Sequence, residues 1–164
     1  NLFKLEDVNT ASPIFDIIKF KWLNGVWIRN LELPDLKNRL LDFYSKDNGI
    51  LKILNSDTSD ELIKAAASRM RTLMDFKALI NKIPSREKTP EEKRIAKKLE
   101  DHLLILGERW EDEKLLNAIK EFSKEENVPF KTIFFLLTGK EQGIGILELN
   151  QIYGKEFLIN NLKS

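Results

Sequence analysis

The chain has 164 residues, of which 27 are Lys or Arg, 26 are Asp or Glu and one is His, for a formal net charge of +1. With 42% hydrophobic and 32% charged residues it has the composition of a soluble globular protein, which favours neither disorder nor a disulfide scaffold. The absence of cysteine excludes thiol catalysis and thiolate metal sites, and near-neutrality excludes indiscriminate coating of nucleic acid, which needs many neutralised phosphates.

Ser12 and Pro13 open the first patterned stretch. Proline disfavours helix at the residue before it, and Asp16 is suited to cap a helix in which Ile18, Trp22 and Val26 recur every fourth residue, with Leu23 and Trp27 beside them. Trp22 and Trp27, like Trp110 beside Leu115, are expected in the core rather than as stacking platforms, and Arg29 stands where it compensates the helix dipole or touches a phosphate. Pro34 and Asp35 introduce Leu36, Leu40, Leu41 and Tyr44, a helix ending before a turn at Asp47, Asn48 and Gly49. After the polar cluster from Asn55 to Asp60, the stripe Leu62, Ile63, Ala66, Met70 and Leu73 is expected to run on as one helix through Phe76, Leu79 and Ile80. Pro84 ends it, and the loop from Pro84 to Lys88 is the expected boundary between two helical modules.

Thr89, Pro90 and Glu92 form a helix start with a capping box. Ile95, Leu99, His102, Leu103 and Leu106 share a face of that helix, with His102 a half-buried packing residue and Gly107 in the left-handed terminal position. Leu115, Leu116, Ile119 and Phe122 mark the next helix, which Asn127 terminates. Phe130 to Thr138 form a short apolar helix ending at Gly139, and a last pair of helices, 145–153 and 155–162, is divided by Gly154. The expectation is an all-α protein of two consecutive helical modules, 34–88 and 89–164, preceded by a linking segment, 1–33. No stretch alternates as a strand would.

Nothing in the sequence assembles a catalytic centre. A Gly-rich phosphate loop, a dinucleotide fingerprint and a nucleophile elbow are all missing. The adjacent acids Glu91 with Glu92, and Asp112 with Glu113, point to different sides of a helix and are solvated charges. No apolar run approaches the ~18 residues that span a bilayer, and no leader opens the chain, so a cytoplasmic protein without membrane contact is expected. The start at Asn1, without methionine, suggests a piece of something longer. One local asymmetry stands out: between Glu61 and Lys98 eleven basic residues face five acidic ones, enough to steer a polyanion.

Three stretches together resemble one family. Ser12, Pro13, Phe15 and Asp16, then Lys19, Trp22, Leu23, Asn24, Gly25, Ile28 and Arg29, are similar to the segment of bacterial glutamyl-tRNA synthetases that leads into their anticodon-binding half. Arg69, Thr72, Leu73, Asp75 and Phe76 resemble the family's Arg-x-x-Thr-Leu-x-Glu-Phe helix, and Leu137, Thr138 and Gly139, then Gly145, Ile146, Leu147 and Glu148, then Gly154, Lys155 and Glu156, resemble its closing stretch. The resemblance implies an all-helical cage that grips the anticodon loop of glutamate tRNA as a monomer, with Arg69 reading the third anticodon base. It also implies Gly143, Gly145 and Ile146 near the loop bases. ATP and Mg2+ are implied for the intact ligase and none for this part, whose catalytic signatures are absent. One departure matters: Phe134 stands where the family has an arginine for the first anticodon base, leaving stacking on a splayed base and core packing both open. Lys64, Arg71 and Lys77 are candidates for phosphate contacts on local charge alone. The competing reading is a helical protein-interaction module with no RNA ligand, whose basic stretch meets an acidic partner.

Overall fold

A computed structural model describes residues 16–164; Ser12, Pro13, Ile14 and Phe15 of the opening motif lie outside them. The described residues form ten helices and no strand. They are α1 (Ile17–Asn30), α2 (Leu33–Phe43), α3 (Asn48–Leu54), α4 (Ser59–Ala67), α5 (Asp75–Ile80), α6 (Pro90–Leu104), α7 (Asp112–Glu125), α8 (Phe130–Thr138), α9 (Ile146–Tyr153) and α10 (Lys155–Lys163).

The local start and stop signals act as chemistry requires. The Asp16 carboxylate accepts the Ile18 and Lys19 N–H groups, two of the donors that a helix N-terminus leaves unpaired. At α6 the Thr89 side chain accepts from the Glu92 N–H while the Glu92 carboxylate accepts from the Thr89 N–H, completing the capping box. Asn127, at φ 51°, and Gly139, at φ 71°, end α7 and α8 in the left-handed region. His102 is half-buried, with Nε2 3.1 Å from the Ala118 carbonyl and its ring against Phe122.

Three expectations are corrected. Asp47, Asn48 and Gly49 do not form a plain turn: Asp47 caps α3 by accepting from the Ile50 N–H, and Gly49 is helical. The stripe from Leu62 to Ile80 is not one helix, because 68–74 leaves the helical path between α4 and α5. Trp22 and Trp27 are not core residues, being 61% and 66% exposed, whereas Trp110 is buried. Helix α1 docks instead by its narrow side, burying Gly25 and Ile28.

The break at 68–74 is held from several directions. Met70 is fully buried beneath it. The Asp75 carboxylate accepts the Arg71 and Thr72 N–H groups at 2.8 and 2.9 Å, and the buried Tyr44 hydroxyl lies 3.0 Å from both the Leu73 and Met74 carbonyls. Burial pushes the Tyr44 phenol above its usual pKa, so it stays protonated as a donor. From α1, Asn24 donates its side-chain amide to the Arg71 carbonyl. The backbones approach closely beside it, where a Cβ on Gly25 would lie 3.1 Å from the Met70 carbonyl oxygen, tighter than ordinary contact.

The core of the first half is built from Leu36, Leu40, Leu54, Leu62, Ile63 and Phe76, and that of the second from Leu99, Leu103, Leu115, Ile119, Ile133, Leu136 and Leu158. Each such side chain, taken out of water, contributes about 1.5–3 kcal/mol before the cost of ordering. The halves meet where α4 packs on α9 and where Lys82 places its ammonium 3.9 Å from the Tyr153 ring centroid. The connecting loop is laced to the second half. Ser85 N–H donates to the Gly139 carbonyl at 2.7 Å, and Arg86 stacks 3.9 Å above the Phe135 ring while binding both Glu92 oxygens.

Candidate nucleic-acid interface

Between α1, the 68–74 turn, α8 and the loop before α9 lies a concavity of about 740 Å³. Four cations line it, Arg29, Arg69, Arg71 and Lys131, against one acid, Glu141, whose carboxylate is already engaged by Arg86 at 3.3 Å. Its apolar lining includes Trp22, Phe130 and Phe134. A positive hollow with exposed ring faces is the combination that holds an unstacked nucleic-acid strand: cations follow the phosphates and aromatic faces receive bases.

Arg69 sits just past the end of α4, where the chain turns, and its side chain is 32% exposed. Nη1 donates to the Ala65 carbonyl at 3.0 Å and the Ser68 hydroxyl at 2.9 Å, and Nη2 donates to the Glu148 carboxylate at 3.3 Å. None of these contacts uses Nε, the neighbour of Nη2 in the guanidinium. Those two nitrogens share one edge of a planar fork, the arrangement that pairs with two acceptors of a base edge. The ion pair and the opening into the concavity coexist, so a surface pair and a reading role are not alternatives here.

The sequence-predicted residues divide into groups. Arg69, Arg71, Phe134 and Gly143 converge on the one concavity, although Arg69 and Phe134 are 65 positions apart in the chain. Phe134 is half-buried, whereas its neighbour Phe135 is in the core beneath Arg86. Gly145 lies behind Arg69, next to Glu148. The Ile146 side chain is buried at the first turn of α9 and does not line the concavity. Lys64 borders a neighbouring depression of about 420 Å³ that also includes Glu148. Lys77 stands outside both, its ammonium 2.7 Å from Asp47; that contact lowers the Asp47 pKa and raises that of Lys77.

Sequence reasoning missed Phe130 and Lys131 in the lining of the concavity and Glu148 as the partner of Arg69, and treated Trp22 as core. The available signal was the Asn24-Gly25 pair, a polar donor and a missing side chain set between Trp22, Leu23, Val26 and Trp27, which marks close backbone approach.

Comparisons with known proteins bear on this arrangement. A family model described as an anticodon binding domain matches residues 34–164. The chain is similar to a glutamate–tRNA ligase of Sulfurihydrogenibium sp. (strain YO3AOP1), with 28% identity over 94% of this chain and 35% of the relative. It is similar to glutamate–tRNA ligase 2 of Caldicellulosiruptor saccharolyticus, with 23% identity over 98% of this chain and 36% of the relative. The glutamate–tRNA ligase of Thermus thermophilus is 25% identical over 98% of this chain and 37% of the relative. The chain thus spans about a third of the length of the curated relatives it matches.

Proposed function

Since the chain belongs to the family of anticodon binding domains, we propose that it is the part of a glutamate–tRNA ligase that grips the anticodon loop of glutamate tRNA. The single observation carrying this reading is the convergence of Arg69, Arg71 and Phe134 on one cationic, aromatic-walled concavity. Arg69 reads the third anticodon base with the Nε–Nη2 edge of its fork, a contact that discriminates by roughly 1–3 kcal/mol against a wrong base. Phe134, in place of the family's arginine, stacks on an unstacked base and carries no hydrogen-bond code. Trp22 offers a second ring from α1.

Arg71, Arg29 and Lys131 follow the phosphate backbone, and Lys64 extends that cationic surface beyond the Arg69–Glu148 pair. Gly143 lets the RNA backbone approach the loop before α9. Residues 34–88 supply the reading arginine and residues 89–164 the opposite wall. In this reading the whole ligase works as a cytoplasmic monomer, and ATP and Mg2+ act with the part that activates glutamate. Among the described residues no group of His, Asp or Glu side chains converges that could hold the metal, and no helix is long and apolar enough to cross a membrane.

Titrating the chain with glutamate tRNA, and with the same RNA changed only at the third anticodon base, tests the proposal. Affinity that falls with salt and is weaker for the changed RNA is expected; equal affinity for both contradicts base reading, and absence of salt-dependent binding contradicts the RNA ligand itself.

A further inference from the structure

Glu148 touches Arg69 from behind. It does not line the concavity into which Arg69 opens but borders the depression on the other side, with Lys64, Ser68 and Gln151. It belongs to α9, 79 residues further along the chain than the arginine it binds. Its carboxylate occupies the place of a missing side chain: a Cβ on Gly145 would lie 2.0 Å from Glu148 Oε2 and 3.3 Å from Arg69 Nη2. Glycine at 145 therefore opens the space in which acid and guanidinium meet. We propose that Glu148, seated over Gly145, is a positioning residue that fixes the plane of the Arg69 fork, so that the second helical module sets the base selectivity of an arginine carried by the first.

The proposal rests on the reading of Arg69 given above. Its physical content is entropic. A half-exposed arginine has many rotamers, and a two-acceptor contact with a base requires one of them. The Ala65 carbonyl and Ser68 hydroxyl restrain Nη1 alone, so the fork can still pivot about that end. Glu148 restrains Nη2 and removes the pivot. A wrong base then meets donors that cannot follow it.

Loss of a carboxylate near RNA also has an electrostatic effect, and the two effects are separable. Simple relief of repulsion raises affinity for every RNA alike. Loss of positioning lowers the ratio between the correct RNA and the third-base variant.

The test measures that ratio in the chain carrying Glu148→Ala, Glu148→Gln or Gly145→Ala, with Arg69→Gln as the reference. Glutamine keeps an acceptor for Nη2 and should retain part of the ratio. Alanine at 148 should lower it by at least about threefold, with the melting temperature and salt slope little changed. Gly145→Ala, which displaces the flexible end of Glu148 and touches Arg69, should behave like Glu148→Ala and serves as the second variant if the first does not fold. Loss of the ratio in Arg69→Gln but not in Glu148→Ala or Gly145→Ala overturns this proposal alone. A ratio unmoved by Arg69→Gln, or a wild-type chain that does not distinguish the two RNAs, overturns the reading of Arg69 and this proposal with it.

Discussion

Asn24 donates its side-chain amide to the Arg71 carbonyl, tying α1 to a turn 47 residues away. Beside it, Gly25 removes the side chain that would otherwise hold the two backbones apart. The pair explains why an aromatic helix carries Asn-Gly in its middle. The turn that displays both arginines is supported from α1 as well as by its own Asp75.

Asn24→Ala should lower stability by about 1 kcal/mol, the net worth of one hydrogen bond. Gly25→Ala is the sharper case. Alanine in an open helix interior stabilises by about 1 kcal/mol relative to glycine, but here the new methyl meets the Met70 carbonyl, which is backbone and has little room to yield. A net loss of about 1–3 kcal/mol is expected, as for overpacking elsewhere. Urea unfolding midpoints check both signs.

Much of the helix pattern was legible because its causes are local. Thr89, Pro90 and Glu92 lie within one turn, so their capping box can be read without a fold. The interruption between α4 and α5 could not be read so. Met70, Leu73 and Phe76 keep helical spacing, and the break between them is held only in part by the local Asp75 carboxylate; the Asn24 amide and the Tyr44 hydroxyl reach it from afar. Trp22 and Trp27 were misplaced for a related reason. An apolar helix shows which residues avoid water, but Gly25 decides which side docks. Arg69 was legible by resemblance, whereas Glu148 was not, since nothing local pairs residues 79 apart.

Phe134→Ala and Trp22→Ala should each weaken binding of glutamate tRNA by roughly 1–3 kcal/mol while leaving the preference at the third anticodon base intact, because a ring face accepts any base. Filter binding with the two RNAs measures both quantities.

Salt dependence sorts the cations. Arg71→Ala should reduce the slope of log K against log salt by about 0.7–0.9, the contribution of one phosphate contact. Lys77→Ala should leave that slope unchanged, since its ammonium lies outside the concavity against Asp47.

The Arg86 guanidinium, through paired hydrogen bonds and then with help from the Thr89 N–H, holds the Glu92 carboxyl at a pKa of about 2, below the usual 4.5. A depressed carboxylate stabilises the fold fully above its unfolded pKa and loses that contribution as pH falls through the folded one. Stability should therefore drop between about pH 4.5 and 2, and Arg86→Ala should flatten this part of the acid limb. Unfolding midpoints collected across that window check the difference. The same arginine packs on Phe135, so the variant should also start from a lower plateau.

A two-by-two cycle pairing wild type and Arg69→Gln with glutamate tRNA and its third-base variant tests the central claim most directly. The account predicts a coupling of about 1–3 kcal/mol, with wild type distinguishing the RNAs and the variant protein binding them alike. A coupling near zero, with the preference surviving the loss of the guanidinium, would contradict it.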